Sequence, residues 1–98
     1  MAMETRLLDE RLTDFFESVS STANVCLETQ NDIHTATIGR LWEMFEKMQQ
    51  AYGMVWSAKA LAERIGWDDK ARFMSRLCFL LEARIQRVKR ELRIRGLL

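Results

Sequence analysis

Apolar residues recur at helical spacing along almost the whole chain, and this pattern predicts an all-α protein. From Leu8 to Val19 the apolar positions alternate at intervals of four and three residues, and the spacing continues to Cys26. The stretch Ser18–Thr22 is weak helix material, because serine competes for backbone hydrogen bonds and β-branched residues lose rotamer freedom. Two alternatives stay open here: one helix that runs on to Thr29, or a break near Ser20.

A second helix is predicted from about Thr37 to Tyr52. Gly53 is expected to end it, because glycine readily takes the positive φ of a helix C-terminus. A short third helix then begins at Ser57, which is a good N-cap residue, and ends at Gly66.

A long final helix is predicted from about Asp69 to Arg95, with an aspartate as its cap and Gly96 as its end. Its apolar seam has the four-and-three spacing of a coiled coil. The seam residues are Met74, Cys78, Leu81, Ile85, Val88 and Leu92. At ~1.5 Å per residue this helix is about 40 Å long, which is long for a compact chain of this size.

We therefore predict that this seam is the contact between two copies in a homodimer. The expected fold is a small all-α bundle of three to four helices with a long C-terminal helix, formed by residues 1–98 as one domain.

Composition supports a globular helical domain. Of the 98 residues, 48% are hydrophobic and 30% are charged, and there is no proline. The longest apolar run, Leu77–Leu81, is far too short to cross a bilayer, and the N-terminus lacks the apolar segment of a signal peptide. The two cysteines, Cys26 and Cys78, are expected to be reduced and buried. These features favour a cytoplasmic protein.

The net charge of +1 hides a division between the two halves of the chain. Residues 1–50 carry nine acids and four bases, and residues 51–98 carry five acids and eleven bases. Much of the positive charge lies in residues 84–95. Such a division is typical either of halves that pack against each other or a second subunit, or of a basic end that contacts a nucleic acid or an acidic partner.

No residue pattern indicates catalysis, a cofactor or a metal. His34 is the single histidine, and we expect it to be solvated in a connection between helices. The carboxylates are interleaved with Arg and Lys, as on solvated helix faces, and the four glycines form no phosphate-binding loop.

Residues 57–77 are similar to the helix-turn-helix unit of DNA-binding regulators, with Ala62 allowing close crossing and Gly66 making the turn. The following helix would present a set of polar and basic residues to DNA. That set is Lys70, Arg72, Ser75 and Arg76. The chain departs from the motif at Arg72, where an apolar residue is usual. A DNA-binding regulator is therefore the alternative function.

Tryptophan and methionine are concentrated in the second helix and in the few residues after it, and this helix is apolar over more than one stripe, as if it met two neighbours. We predict a partner-binding surface of Trp42, Met44, Met48 and Trp56, with at least one of the two tryptophans exposed. The predicted function is a non-enzymatic regulator that occludes a cytoplasmic protein. An anti-activator of a transcription factor, an inhibitor or a chaperone of another protein would each fit.

Overall fold

The computed structural model describes residues 2–29 and 32–98, and the side chains of residues 7–28 and 32–98. These residues form three helices and no strand. The helices are α1 (Ala2–Thr29), α2 (Ile38–Ile65) and α3 (Asp68–Ile94). The protein is therefore an all-α bundle, and it has three helices where the sequence predicted three to four.

Helix α1 runs without a break through the serine-rich stretch. The Ser20 hydroxyl donates a hydrogen bond to the carbonyl of Phe16, with an O–O distance of 2.8 Å, and Thr22 does the same to Ser18 at 3.0 Å. Each hydroxyl thus bonds inside the helix, one turn back, where it does not compete with the backbone ladder. The burial of Val19 on this stretch further favours the continuous helix.

Helix α2 continues through Gly53, so the predicted end at this glycine and the separate helix that would begin at Ser57 are both wrong. The Ser57 hydroxyl donates a hydrogen bond to the Gly53 carbonyl over 3.0 Å, within the helix, and therefore does not act as a cap. A glycine inside a helix costs about 1 kcal/mol, which the buried stripe on either side of it outweighs.

The turn between α2 and α3 has the predicted form. Gly66 takes a φ of 79°, and the Trp67 amide donates to the Ala62 carbonyl over 2.9 Å. This bond satisfies a carbonyl that the end of the helix would otherwise leave without a partner. Trp67 occupies the N-cap position of α3, so the expected aspartate cap is wrong. Asp68 and Asp69 lie in the first turn, where their charges complement the helix dipole.

Helices α2 and α3 form an antiparallel hairpin. The Arg95 guanidinium, just after α3, donates a 2.6 Å hydrogen bond to the carbonyl of Ala36, just before α2. The molecule measures 58 × 17 × 16 Å, and its radius of gyration is 16.3 Å. A compact chain of this length has a radius of gyration of roughly 13 Å, so the bundle is markedly elongated.

Helix α1 packs parallel to α3 but is displaced along the bundle axis. From Leu7 onward, where the side chains are described, the first buried residue is Phe16, whose ring centre lies 5.6 Å from that of Trp67 in the turn. Leu7 and Leu8, further towards the N-terminus, are exposed. The first turns of α1 therefore extend beyond the hairpin.

The predicted dimer seam of α3 is the core of a single chain. All six seam residues are buried: Met74, Cys78, Leu81, Ile85, Val88 and Leu92. The physical reason is the true length of α2. With 28 residues it matches the 27 residues of α3 and covers the seam from end to end. The assignment of these residues to a contact between two copies is therefore wrong, and the homodimer itself stays a prediction.

Candidate functional site

Helix α2 has one face that belongs entirely to the core. We call it the core face, and its residues are Leu41, Met44, Met48, Ala51, Val55, Ala58 and Ala62, all buried. Met44 and Met48 are fully inaccessible, so their predicted contact with a partner is wrong. Their position explains the error: α1 and α3 both pack against this side of α2, and methionine fills the irregular space between them.

A second stripe of α2 lies beside the core face and points away from it. We call it the aromatic face, and its residues are Ile38, Trp42, Phe45, Gln49, Tyr52 and Trp56, spaced 4-3-4-3-4. Trp42 is 37% exposed and Trp56 is 55% exposed, which confirms the predicted exposure of the tryptophans. Phe45 and Tyr52 are partly buried against the core. The inner side of the aromatic face thus packs against the core, and its outer side is exposed to solvent.

The aromatic face has a defined geometry at its centre. The rings of Trp42 and Phe45 meet edge to face, with centres 5.9 Å apart and planes at 89°. The Lys89 ammonium of α3 lies 6.0 Å from the centre of the Phe45 ring, a cation–π distance. One turn further along α2, a shallow groove of about 310 Å³ runs between the two helices. Its lining residues are Gln49, Tyr52, Glu82 and Ile85.

The sequence indicated the two tryptophans of this surface, but the prediction grouped them with Met44 and Met48 instead of with the other residues of the aromatic face. Ile38, Phe45 and Tyr52 look like members of one broad core stripe when the helix is considered alone. What separates them from the core face is a four-and-three spacing of their own. This spacing includes the tryptophans but not Leu41 or Met48. Two interleaved registers on one helix indicate two contact surfaces.

The predicted DNA-reading residues lie near the start of α3. Arg72, Ser75 and Arg76 are exposed, and Lys70 is partly buried beside α1. The corner before them does not have helix-turn-helix geometry. The two helices of such a unit cross at about 90–120°, whereas a cross-section of only 17 × 16 Å requires α2 and α3 to run side by side.

Two buried thiols are the reactive groups nearest the core. Cys26 and Cys78 are both free, and burial raises the pKa of each thiol above its ordinary value. A raised pKa keeps the sulfur protonated and a poor nucleophile. Both residues therefore serve packing in this arrangement.

His34, Glu91 and Arg95 form a polar cluster at the end of the hairpin. Arg95 donates from Nε to a Glu91 carboxylate oxygen over 3.0 Å and from Nη2 to the His34 carbonyl over 3.2 Å. The His34 ring nitrogen Nδ1 lies 3.3 Å from the other carboxylate oxygen. The hydrogen bond from Arg95 is the main cause of a lowered Glu91 pKa. The cluster ties the connection before α2 onto α3, with Ile33 buried beneath.

Among the residues that the structure describes, no three metal-ligating side chains come together. No helix in the same residues has the length and hydropathy needed to cross a membrane. The chain matches no protein-family model, no curated protein sequence and no solved structure. Functional assignment therefore rests on the chain's own surface, where the aromatic face is the most distinctive feature.

Proposed function

We propose that this protein is a non-enzymatic regulatory module that binds another protein through the aromatic face of α2. The observation that carries the proposal is the exposure of Trp42 and Trp56 on a stripe with regular helical spacing. Tryptophan is the residue most enriched among the contacts that dominate binding energy. A folded core beneath the stripe holds these rings in place, which reduces the entropy lost on binding.

The partner chemistry that fits the face is an amphipathic helix. A stripe about 27 Å long, from Ile38 to Trp56, matches the apolar side of a helix of roughly 18 residues. The Lys89 ammonium beside Phe45 and the Glu82 carboxylate beside Tyr52 offer one charge of each sign along the groove. A helix that carries the opposite charges at these two levels would fit in one direction and not the other.

Occlusion is the mode of action that follows for so small a module. A regulator of this kind binds a surface that its target needs for another contact, as an anti-activator does with a transcription factor. We propose the cytoplasm as its compartment, since both cysteines are free, buried thiols.

The test compares two double variants in partner capture. Trp42→Gln with Trp56→Gln removes the rings of the aromatic face. Phe73→Gln with Leu80→Gln is the matched control, because these residues are 45% and 39% exposed but lie on another face of the bundle. A specific partner should be retained by the native protein and by the control, and lost by the tryptophan variant.

The captured protein is then purified and its affinity measured by calorimetry. Loss of two tryptophan contacts should weaken binding at least about tenfold, since a single such contact is commonly worth 2 kcal/mol or more. Equal binding by the two double variants would contradict the proposal.

A second candidate is nucleic-acid binding along the outer side of α3. The observation in its favour is Phe79, which is 71% exposed and shares a face with Arg72 and Arg76. Exposed aromatic rings between basic residues are typical of surfaces that stack bases and contact phosphates. Fluorescence anisotropy with labelled DNA and RNA at several salt concentrations tests it. Binding that falls with salt and weakens in Arg72→Gln with Arg76→Gln would support this candidate over the first.

A further inference from the structure

The molecule exposes more surface than a chain of its mass needs to. Its accessible area is 6739 Å². A compact monomer of 11.5 kDa exposes roughly 5800 Å², so the excess is about 900 Å². A stable interface between two proteins buries about 800 Å² on each partner. The elongated shape therefore leaves uncovered about as much surface as one such interface would bury.

We propose that a second copy of this chain covers the aromatic face, with the two α2 helices antiparallel about a two-fold axis near residues 45–49. The inference rests on the proposed function in one respect: the same face serves both, so a partner helix must displace the second copy. The contact is a different surface from the α3 seam, which is already buried within each chain.

The spacing of the aromatic face sets the pairing. The residues of the aromatic face alternate between the two positions of a four-and-three repeat. In an antiparallel pair of helices, a residue at one of these positions lies level with a residue at the other position of the second helix. Trp42 then meets Tyr52 of the second copy, Ile38 meets its Trp56, and Phe45 meets its Gln49. Every layer contains at least one aromatic ring, and the two glutamines lie on either side of the axis.

Charge decides between the antiparallel and the parallel arrangement. Lys89 lies beside Phe45, and Glu82 lies beside Gln49 and Tyr52. The antiparallel pairing brings Lys89 of each copy next to Glu82 of the other, which creates two symmetric ion pairs. A parallel two-fold pairing would instead place the two α3 helices on opposite sides of the interface, where Lys89 of one copy is too far from Glu82 of the other to form an ion pair. The electrostatics therefore favour the antiparallel dimer.

Sedimentation velocity of the purified protein tests the dimer first. At concentrations from about 1 to 100 μM, a range that brackets typical dissociation constants of such contacts, the native chain should reach about twice its mass of 11.5 kDa. Trp42→Gln with Trp56→Gln should remain monomeric, and the control Phe73→Gln with Leu80→Gln should still dimerise. A native chain that stays monomeric throughout would overturn the inference, as would a tryptophan variant that dimerises normally.

Charge reversal tests the direction of pairing and does not depend on the core. Glu82→Lys alone and Lys89→Glu alone should each raise the dimer dissociation constant about fivefold or more, because attraction becomes repulsion at two symmetric places. The combination of both reversals should restore the native value. In a parallel dimer these charges of the two copies lie on opposite sides of the interface, so the single reversals would leave the dissociation constant unchanged; that result, or an absence of rescue, would overturn the antiparallel arrangement.

The two proposals fail in different ways. A monomeric protein whose partner capture still depends on Trp42 and Trp56 would refute the dimer and leave the proposed function standing. A dimer with the expected charge rescue, but no partner lost with the tryptophans, would refute the proposed function and support the second copy as the occupant of the face.

Discussion

The core face and the aromatic face of α2 follow the same spacing but differ in side-chain size. The core face has methionines in its first half and small residues such as Ala51 and Ala58 in its second half, and the small residues allow neighbouring helices to approach closely. The aromatic face has large rings, of which Trp56 remains 55% exposed. Small, flexible residues suit a surface that is closed on every side, whereas large rigid rings suit one that gains its neighbour by association.

The largest effect is expected when bulk is removed from the core face or from the α3 seam that packs against it. Leu81→Ala should lower the free energy of unfolding by about 2–5 kcal/mol, because it deletes a fully buried side chain and leaves a cavity. The control Ile94→Ala removes a side chain that is 71% exposed and should change stability by less than about 0.5 kcal/mol. Urea denaturation followed by circular dichroism measures both. Equal effects would mean that the helices pack in another register.

Adding bulk to the core face tests its close packing directly. Ala58→Leu should destabilise the protein by about 1–3 kcal/mol, because Ala58 is fully buried and the larger side chain has no room. The same change at the exposed Ala83 of α3 should stay within about 0.5 kcal/mol. Thermal melting of the two variants gives the comparison. A stable Ala58→Leu protein would show that the core face has space to spare.

A glycine inside α2, Gly53, and the glycine that caps its end, Gly66, should respond to substitution in opposite directions. Gly53→Ala should raise the free energy of unfolding by about 0.5–1 kcal/mol, because the residue is helical, exposed and has nothing within 4 Å of the added methyl. Gly66→Ala should lower it by about 1 kcal/mol or more, because Gly66 has a φ of +79°. Chemical denaturation of both variants would reveal the opposite signs. Destabilisation by Gly53→Ala would indicate that α2 ends at Gly53, as the sequence suggested.

The smallest effect is expected at the polar cluster of His34, Glu91 and Arg95, which holds the connection before α2 onto α3. The Glu91 pKa is lowered in the native state, mainly by the hydrogen bond from Arg95. This carboxylate therefore adds stability above the ordinary glutamate value of about 4.3, and that stability is lost as the pH falls through the lower native pKa.

Glu91→Gln should consequently lower the melting temperature at pH 7 and make its fall below about pH 4.3 less steep. Glu46→Gln, a change at an exposed carboxylate of α2, should leave the native pH dependence in place. Melting curves from pH 2 to pH 7, which span the titration of a glutamate, distinguish the two. A Glu91→Gln profile that follows the native one would mean that the cluster does not contribute to the pH dependence of stability.

Several features could be predicted from the sequence because they depend on local chemistry. Apolar periodicity was sufficient for the all-α class and for the seam of α3. The positive φ at Gly66 and Gly96 follows from the lack of a Cβ atom, which makes that conformation accessible. The exposure of a tryptophan followed from the presence of three large indoles in a chain with a thin core.

Other features were decided by tertiary packing. Gly53 and Ser57 have the local chemistry of a helix end and a helix start, yet the buried stripe that passes between them keeps α2 continuous. Because α2 is continuous it is as long as α3, and the seam that resembled a contact between two chains is covered within one. The same packing buried Met44 and Met48 and left Trp42 and Trp56 exposed. Periodicity identifies the apolar stripes of a helix, but which stripe is covered depends on where its neighbours lie.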